Sequence, residues 1–206
     1  MQTFAIIPAA GRSLRMGQPK LLLPWGQTTV LEHVIATWRA SRVGRVILVV
    51  HPEDKQIVAL GAAAGAQIVQ PSSAPSEMKV SVQLALDYIS EFAPQPTDAW
   101  LLAPADMPGL TSDTIDALIG AYESSLAAEP AAAPRIWAPR YDGRRGHPVL
   151  FPWALSSEVA ELGPDEGINA LMTRHEVAHV EASADAILED LDTPEDYERL
   201  RAHYGL

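Results

Sequence analysis

The stretch Phe4-Ala-Ile-Ile-Pro-Ala-Ala-Gly-Arg-Ser-Leu-Arg-Met-Gly-Gln-Pro-Lys20 decides the fold. It opens as a continuous apolar run, Phe4 to Ile7, of the kind a parallel strand shows when both its faces are covered. Pro8 has no N–H and is expected to stop the ladder. Gly11 and Gly17 bracket a turn, and Arg12, Arg15 and Lys20 stand between and just after them, with Ser13 as an additional donor. Backbone N–H groups and cations gathered at a strand's carboxyl end are what binds phosphate in open α/β sheets. A glycine loop carrying solvated charges would look similar, and two glycines alone do not separate these readings. The loop is not a Walker motif, because no Gly-Lys-Ser/Thr follows, and it is not Gly-x-Gly-x-x-Gly.

Charge distribution does separate them. Residues 1–50 hold six Lys/Arg against one acid, Glu32, whereas the whole chain holds 15 basic and 26 acidic residues and a formal net charge of −11. A local positive region in an acidic protein attracts a polyanion of nucleotide size, while the remaining surface repels a long nucleic acid.

The chain has 206 residues, 48% of them hydrophobic and 20% charged. That is enough for one sizeable core and is expected to form a single domain over 1–206. There is no basic segment followed by an apolar export signal, and no run approaches the ~18 apolar residues of a membrane span. Cysteine is absent, which removes disulfides, thiolate catalysis and cysteine zinc sites and leaves the cytoplasm as the expected compartment.

Thr29-Val-Leu-Glu32 reads as a capping box opening a helix with Val30, Val34, Ile35 and Trp38 on one face. Val46 to Val50 is a second buried strand, Pro52 suits the first position of a helix to about Ala63, and Ala66 to Val69 makes a third strand. Strand and helix alternating at this spacing imply right-handed crossovers and a Rossmann-like α/β layer. His33 and His51 have no partner at metal-binding spacing and read as surface or helix-end residues. A turn-rich segment, 71–81, precedes a helix with Val82, Ala85, Leu86 and Ile89 inward, so that Met78 and Ser81 face the glycine loop or else serve the core and the helix start.

The strand Asp98 to Ala103 ends in Pro104-Ala-Asp-Met-Pro108. A carboxylate at such a tip can ligate Mg²⁺, which takes one or two carboxylates plus phosphate oxygens; Asp106 could instead cap a turn with Pro108. Thr111 or Ser112 caps a helix to about Leu126, and Ala127 to Pro134 reads as a low-complexity surface excursion. Tyr141-Asp-Gly-Arg-Arg-Gly146 is a turn between strands, and Arg145, Gly146 and His147 make either a basic hairpin tip or an anion site. Two short helices are expected at 153–162 and 165–173, and a strand at 177–180. Thr193-Pro-Glu-Asp196 explains itself as a helix start, whereas Asp190 and Asp192 are not explained by it.

The pattern Ala9-Ala10-Gly11-x-Ser13-x-Arg15-Met16-Gly17-x-x-Lys20 resembles the signature loop of MobA-like nucleotidyltransferases, and more narrowly that of the molybdenum cofactor cytidylyltransferases. The resemblance implies a three-layer nucleotide-diphospho-sugar-transferase-type fold with a mostly parallel sheet. It also implies transfer of NMP to a phosphorylated acceptor, with release of pyrophosphate. On this reading Ala9, Ala10, Gly11, Arg12, Ser13, Arg15 and Lys20 grip the triphosphate, with Lys20, Arg15 and Asp106 as the catalytic groups. Asp106 and Asp192, the latter opening an Asp-Thr-Pro-Glu-Asp element, hold Mg²⁺. Ala10, where guanylyl-transferring relatives usually carry glycine, points to CTP. Met78 and Ser81 match a Gly-Met-x-x-Ser pattern of the base and sugar pocket, with Glu77 replacing its glycine. Gly146-His147-Pro148 matches an acceptor element, so that Arg145, Gly146 and His147 would bind molybdopterin or another phosphorylated acceptor. Two alternatives stay open: a cytidylyltransferase acting on methylerythritol phosphate, whose Asp-Ala-Ala-Arg-Pro stretch this chain lacks, and a non-catalytic nucleotide-binding chaperone for a cofactor-dependent enzyme.

Overall fold

The computed structural model describes every residue except Ser13 and Pro130. Its strands and helices are β1 (Thr3–Ala9), β2 (Pro24–Trp25), β3 (Thr28–Thr29), α1 (Val30–Ala40), β4 (Arg45–Val50), α2 (Lys55–Ala63), β5 (Gln67–Val69), α3 (Met78–Ser90), β6 (Ala99–Leu102), α4 (Ser112–Ala128), β7 (Ile136–Tyr141), β8 (Arg144–Arg145), β9 (Val149–Pro152), α5 (Leu171–Arg174), β10 (Val177–Glu181) and α6 (Pro194–Tyr204). The main sheet runs β10-β7-β9-β6-β1-β4-β5, with β8 paired to β7. Pairs β1·β4, β1·β6, β4·β5 and β7·β10 are parallel, and β9 runs antiparallel to both β6 and β7.

Alternation along β1 divides the core into two layers. Ala5, Ile7 and Ala9 face a layer built with α1, α4 and α6, while Phe4 and Ile6 face one built with α3 and the segment from Leu155 to Leu171. Helices therefore cover both faces of a mostly parallel sheet, as the unbroken apolar run at Phe4–Ile7 requires. On α1 the residues Val30, Val34, Ile35 and Trp38 are all buried, each such side chain contributing about 1.5–3 kcal/mol by leaving water. Its capping box is formed as expected, Thr29 Oγ1 accepting from Glu32 N and Glu32 Oε2 from Thr29 N.

Several local expectations are corrected. Pro8 does not end β1, which pairs with β4 through Ala9. The Pro8 carbonyl accepts from Ala105 N on the β6 side, past the last β1·β6 partner pair, Ile6 and Leu102. The absent N–H faces the same side, so no ladder bond is lost. Helix α2 begins at Lys55 rather than Pro52, because Asp54 accepts from Ile57 N and supplies the cap. Helix α4 extends to Ala128, into the expected excursion. The segments at 153–159 and 168–170 are 3₁₀ turns, with α helix only over Leu171–Arg174.

Candidate active site

The β1–β4 register places Ala9 beside Val50, so the chain emerging from β1 crosses the tip of β4 before turning back. Buried Met16 and Leu21 pin the loop to the core. Gly17 adopts φ +66°, a conformation that a side chain resists. Pro19 then leads into a 3₁₀ turn at Lys20–Leu22, and this turn delivers the Lys20 ammonium to the carboxyl end of the sheet. There Nζ donates to Asp106 Oδ2 and, at 3.0 Å, to Asp192 Oδ1.

Each carboxylate has its own scaffold. Asp106 lies in the turn after β6, where Ala105 N is bonded to the Pro8 carbonyl. Asp192 is brought to the same place by one main-chain bond, Leu191 N to Asp106 O at 2.9 Å. Thr193 and Asp196 complete the capping box of α6, so Asp192 has no part in that cap. Two carboxylates that accept from one ammonium hold their oxygens within about 6 Å of each other, two hydrogen-bond lengths. Arg15 adds a second cation, 2.8 Å from Asp192 Oδ2.

Burial pulls the Lys20 ammonium down, but the charges and hydrogen bonds of Asp106 and Asp192 outweigh it and hold the group above its ordinary value. Asp190 is pushed up by burial and by repulsion from Asp192 and Asp106. The site is thus a concentration of negative charge held by two cations. Asp106 Oδ1 is buried and has no hydrogen-bond partner among the described residues. Among the described residues no group of three or more His, Asp and Glu forms a cage for a metal. Two carboxylates are nevertheless enough for a hard cation that takes its remaining oxygens from phosphate and water.

Asp106, Asp192, Lys20, Arg15 and the loop Ala9–Arg12 line one cavity of about 530 Å³, whose lining also includes Glu77, Met78 and Ser81. Ser13 lies outside the described residues. Arg12 borders this cavity but its guanidinium turns to a neighbouring one of about 420 Å³, where it meets Glu53 Oε2 at 2.7 Å and His51 Nε2 at 3.0 Å. His51, read from sequence as a surface or helix-end residue, is only 8% exposed. It follows the last residue of β4 directly and is packed where the β1 and β4 tips meet.

Arg145, Gly146 and His147 do not line the larger cavity. They follow the β7–β8 turn, with Arg145 exposed and Gly146 pressed against Ile187, whose carbonyl would stand 2.3 Å from any Cβ added at 146. His147 N donates to that same carbonyl at 2.9 Å. The His147 ring is close enough to Asp106, Asp190 and Arg145 to feel their charges, and burial holds it below its ordinary value. Its Nδ1 lies 3.3 Å from the Leu102 carbonyl; a carbonyl only accepts, so this contact requires the proton on Nδ1.

A family model described as the MobA-like NTP transferase domain matches residues 5–180. The chain belongs to this family. It is accordingly a nucleotidyltransferase, built on the α/β fold of that group. Among curated relatives it is similar to the purine catabolism protein PucB of Bacillus subtilis, 26% identical over 94% of this chain and 93% of that one. It is equally similar to the molybdenum cofactor cytidylyltransferase of Escherichia coli, 26% identical over 97% and 95%. The 2-C-methyl-D-erythritol 4-phosphate cytidylyltransferase of Tolumonas auensis is 32% identical over 82% and 79%. Among solved structures, the Rv0371c homologue from Mycobacterium sp. strain JC1 superposes with a TM-score of 0.77, 28% identity and 98% coverage of both chains. Rv0371c of Mycobacterium tuberculosis H37Rv, solved as a complex with manganese, gives 0.69 and 27% over 97% and 98%. The hard oxygen donors of Asp106 and Asp192, one of them buried and unpaired among the described residues, are of the type that suits a divalent cation.

The sequence missed His51 and Glu53 as partners of Arg12. No motif marks them, and only the parallel register that sets Val50 beside Ala9 brings them to the loop.

Proposed function

We propose that the protein transfers CMP from CTP to a phosphorylated small molecule, with a molybdopterin-type cofactor as the acceptor, and that residues 1–206 act as one catalytic domain. The observation that carries this reading is the Lys20 ammonium held between Asp106 and Asp192 on the wall of the cavity that the glycine loop encloses. Lys20 and Arg15 line that cavity within reach of a triphosphate, and the loop from Ala9 to Arg12 offers backbone N–H groups to its oxygens. Transfer by in-line attack on the α-phosphorus asks for positioning and charge neutralisation more than for an acid–base pair. Lys20 and Arg15 fit that demand by moving from carboxylate to phosphate as the nucleotide arrives.

Asp106 and Asp192 would hold Mg²⁺, which when bound neutralises phosphate charge and orients the reacting oxygens. The same carboxylates keep Lys20 protonated and in place before the nucleotide binds. Met78, 47% exposed on the cavity wall, gives a nucleobase or ribose an apolar surface, and buried Ser81 stands on the same wall. Arg145, Gly146 and His147 are assigned to the acceptor, with exposed Arg145 as the group available to its phosphate. Ala10 supports cytosine over guanine. The test is pyrophosphate release with each of four nucleoside triphosphates and Mg²⁺, offered molybdenum cofactor or methylerythritol phosphate as acceptor. Pyrophosphate release with CTP and molybdenum cofactor alone is expected; release with methylerythritol phosphate in its place would reassign the acceptor.

A further inference from the structure

Glu77 is the N-cap residue of α3, yet its carboxylate makes no capping hydrogen bond. Glutamate is in any case a poor choice for that position, where Ser, Thr, Asp or Asn would satisfy the orphan N–H groups. The helix start therefore does not account for it. The side chain is exposed on the wall of the larger cavity and is tethered to Lys79, 3.4 Å from its Nζ. Lys79 is itself fixed, donating to the carbonyls of Gly163 at 2.7 Å and Pro164 at 2.8 Å. That turn is braced in its own right, because Glu166 accepts from Gly163 N at 2.8 Å and from Arg174 at 2.6 Å. The Glu77 carboxylate thus has an anchored cation as its neighbour.

Asp106 and Asp192 are paired with Lys20 and Arg15, whereas Glu77 is paired with Lys79, so this third carboxylate of the cavity is available to another part of the nucleotide. Arg15 and Lys20 serve the phosphates, and exposed Met78, which lines the same cavity next to Glu77 in the chain, offers an apolar surface to the base. An ionised carboxylate accepts hydrogen bonds and cannot donate them. Cytosine offers it the N4 amino group as donor, as in carboxylate readout of that base elsewhere. Uracil presents an acceptor oxygen at the same position and is repelled. We infer that Glu77 is a specificity-determining residue of this site, its carboxylate accepting from the exocyclic amino group of cytosine and excluding uracil. Lys79 acts as a positioning residue that holds the carboxylate against the 163–164 turn.

This inference rests on the nucleotidyltransferase reading of the cavity and deepens it, and the two can fail separately. The experiment is binding of CTP, UTP and GTP with Mg²⁺ by calorimetry to the wild-type protein and to Glu77→Gln, Glu77→Gly and Lys79→Met. Glu77 is exposed and makes no helix cap, so its variants are expected to fold, which thermal melting checks. The wild type is expected to bind CTP at least about tenfold more tightly than UTP, the scale of one charge-assisted hydrogen bond. In Glu77→Gln the amide can donate to the uracil oxygen, and UTP is expected to gain until the two pyrimidines bind within about threefold. In Glu77→Gly the preference also collapses, through loss of CTP affinity, and Lys79→Met gives an intermediate ratio. An unchanged CTP to UTP ratio in both Glu77 variants overturns the assignment while leaving the nucleotide site intact. A wild type that prefers GTP or UTP overturns the cytosine contact, and one that binds no triphosphate overturns the underlying reading as well.

Discussion

Lys20 and Asp192, 172 positions apart in sequence, are joined at 3.0 Å, and the same ammonium is bonded to Asp106. One ammonium is shared by two carboxylates there. Replacing Lys20 by Met is expected to weaken triphosphate binding by about 1–3 kcal/mol, the range for charge-assisted hydrogen bonds. The variant also leaves Asp106 and Asp192 without that cation, so Mn²⁺ titrated in the absence of nucleotide should bind more tightly than to the wild type. Equal metal affinity in the two proteins would show that Lys20 and the metal do not share a place.

Asp106→Asn and Asp192→Asn test the carboxylates directly. The amide keeps the size and loses the charge, so folding, followed by thermal melting, is expected to persist. Turnover should fall by at least about a hundredfold in each, the scale of removing one group that stabilises transition-state charge. Asp192→Asn should retain more nucleotide affinity, because Lys20 and Arg15 still reach the phosphates. A variant of either residue with near wild-type pyrophosphate release would remove it from the machinery.

Arg15 and Arg12 are expected to differ. Arg15 faces Asp192, and Arg15→Ala should weaken CTP binding by about 1–3 kcal/mol. Arg12 is turned to Glu53 and His51, and nucleotide must draw it from these partners before it can contribute. Glu53→Gln, which loosens that hold, should therefore raise CTP affinity modestly, by a few tenths of a kcal/mol up to about 1, as for an exposed ion pair. Tighter binding lost on adding Arg12→Ala would trace the gain to the guanidinium.

Gly146→Ala should destabilise the protein. A Cβ at 146 would stand 2.3 Å from Ile187 O and 2.8 Å from Ile187 C, main-chain atoms that cannot rotate aside. Overpacking of this kind costs about 1–3 kcal/mol, which for a chain of this size lowers Tm by about 2–4 °C per kcal/mol. An unchanged Tm would mean that the two segments separate freely.

His147 sets a pH dependence. Burial holds its folded value below the ordinary 6.5, so the unfolded chain takes up a proton that the folded protein resists. The associated stability is present above about 6.5 and is lost as pH falls through that value toward the folded one. Melting at about pH 7.5 and about pH 5.5 should show a larger fall for the wild type than for His147→Asn, which removes the titrating ring. Parallel falls in the two proteins would assign the acid sensitivity to other groups.

Much of this arrangement was legible in the chain itself. The apolar run at Phe4–Ile7 announced a doubly covered strand, and the 3.6-residue spacing of Val30, Val34 and Trp38 announced α1. Both signals are local, and local patterns survive folding unchanged. Pro8 misled because the cost of a missing N–H depends on whether a neighbour waits for it, and that is set by where β6 ends. The Arg12 contacts were hidden for a related reason: His51 and Glu53 carry no motif, and only sheet register brings them to the loop. The Arg145–His147 element was visible as a motif, but its seat against Ile187, away from the larger cavity, depends on contacts made 41 positions further on.

The main-chain bond from Leu191 to Asp106 has a consequence for biosynthesis. A ribosome releases β1, the glycine loop and β6 long before it reaches residue 192, and until that moment Lys20 lacks its second carboxylate. The emerging polypeptide can assemble the central strands early, but the ammonium stays underneutralised on its Asp192 side, and the cavity keeps an excess of positive charge. Nucleotide present in the cell would therefore meet Lys20, Arg15 and Asp106 first, and Asp192 joins them only when α6 docks.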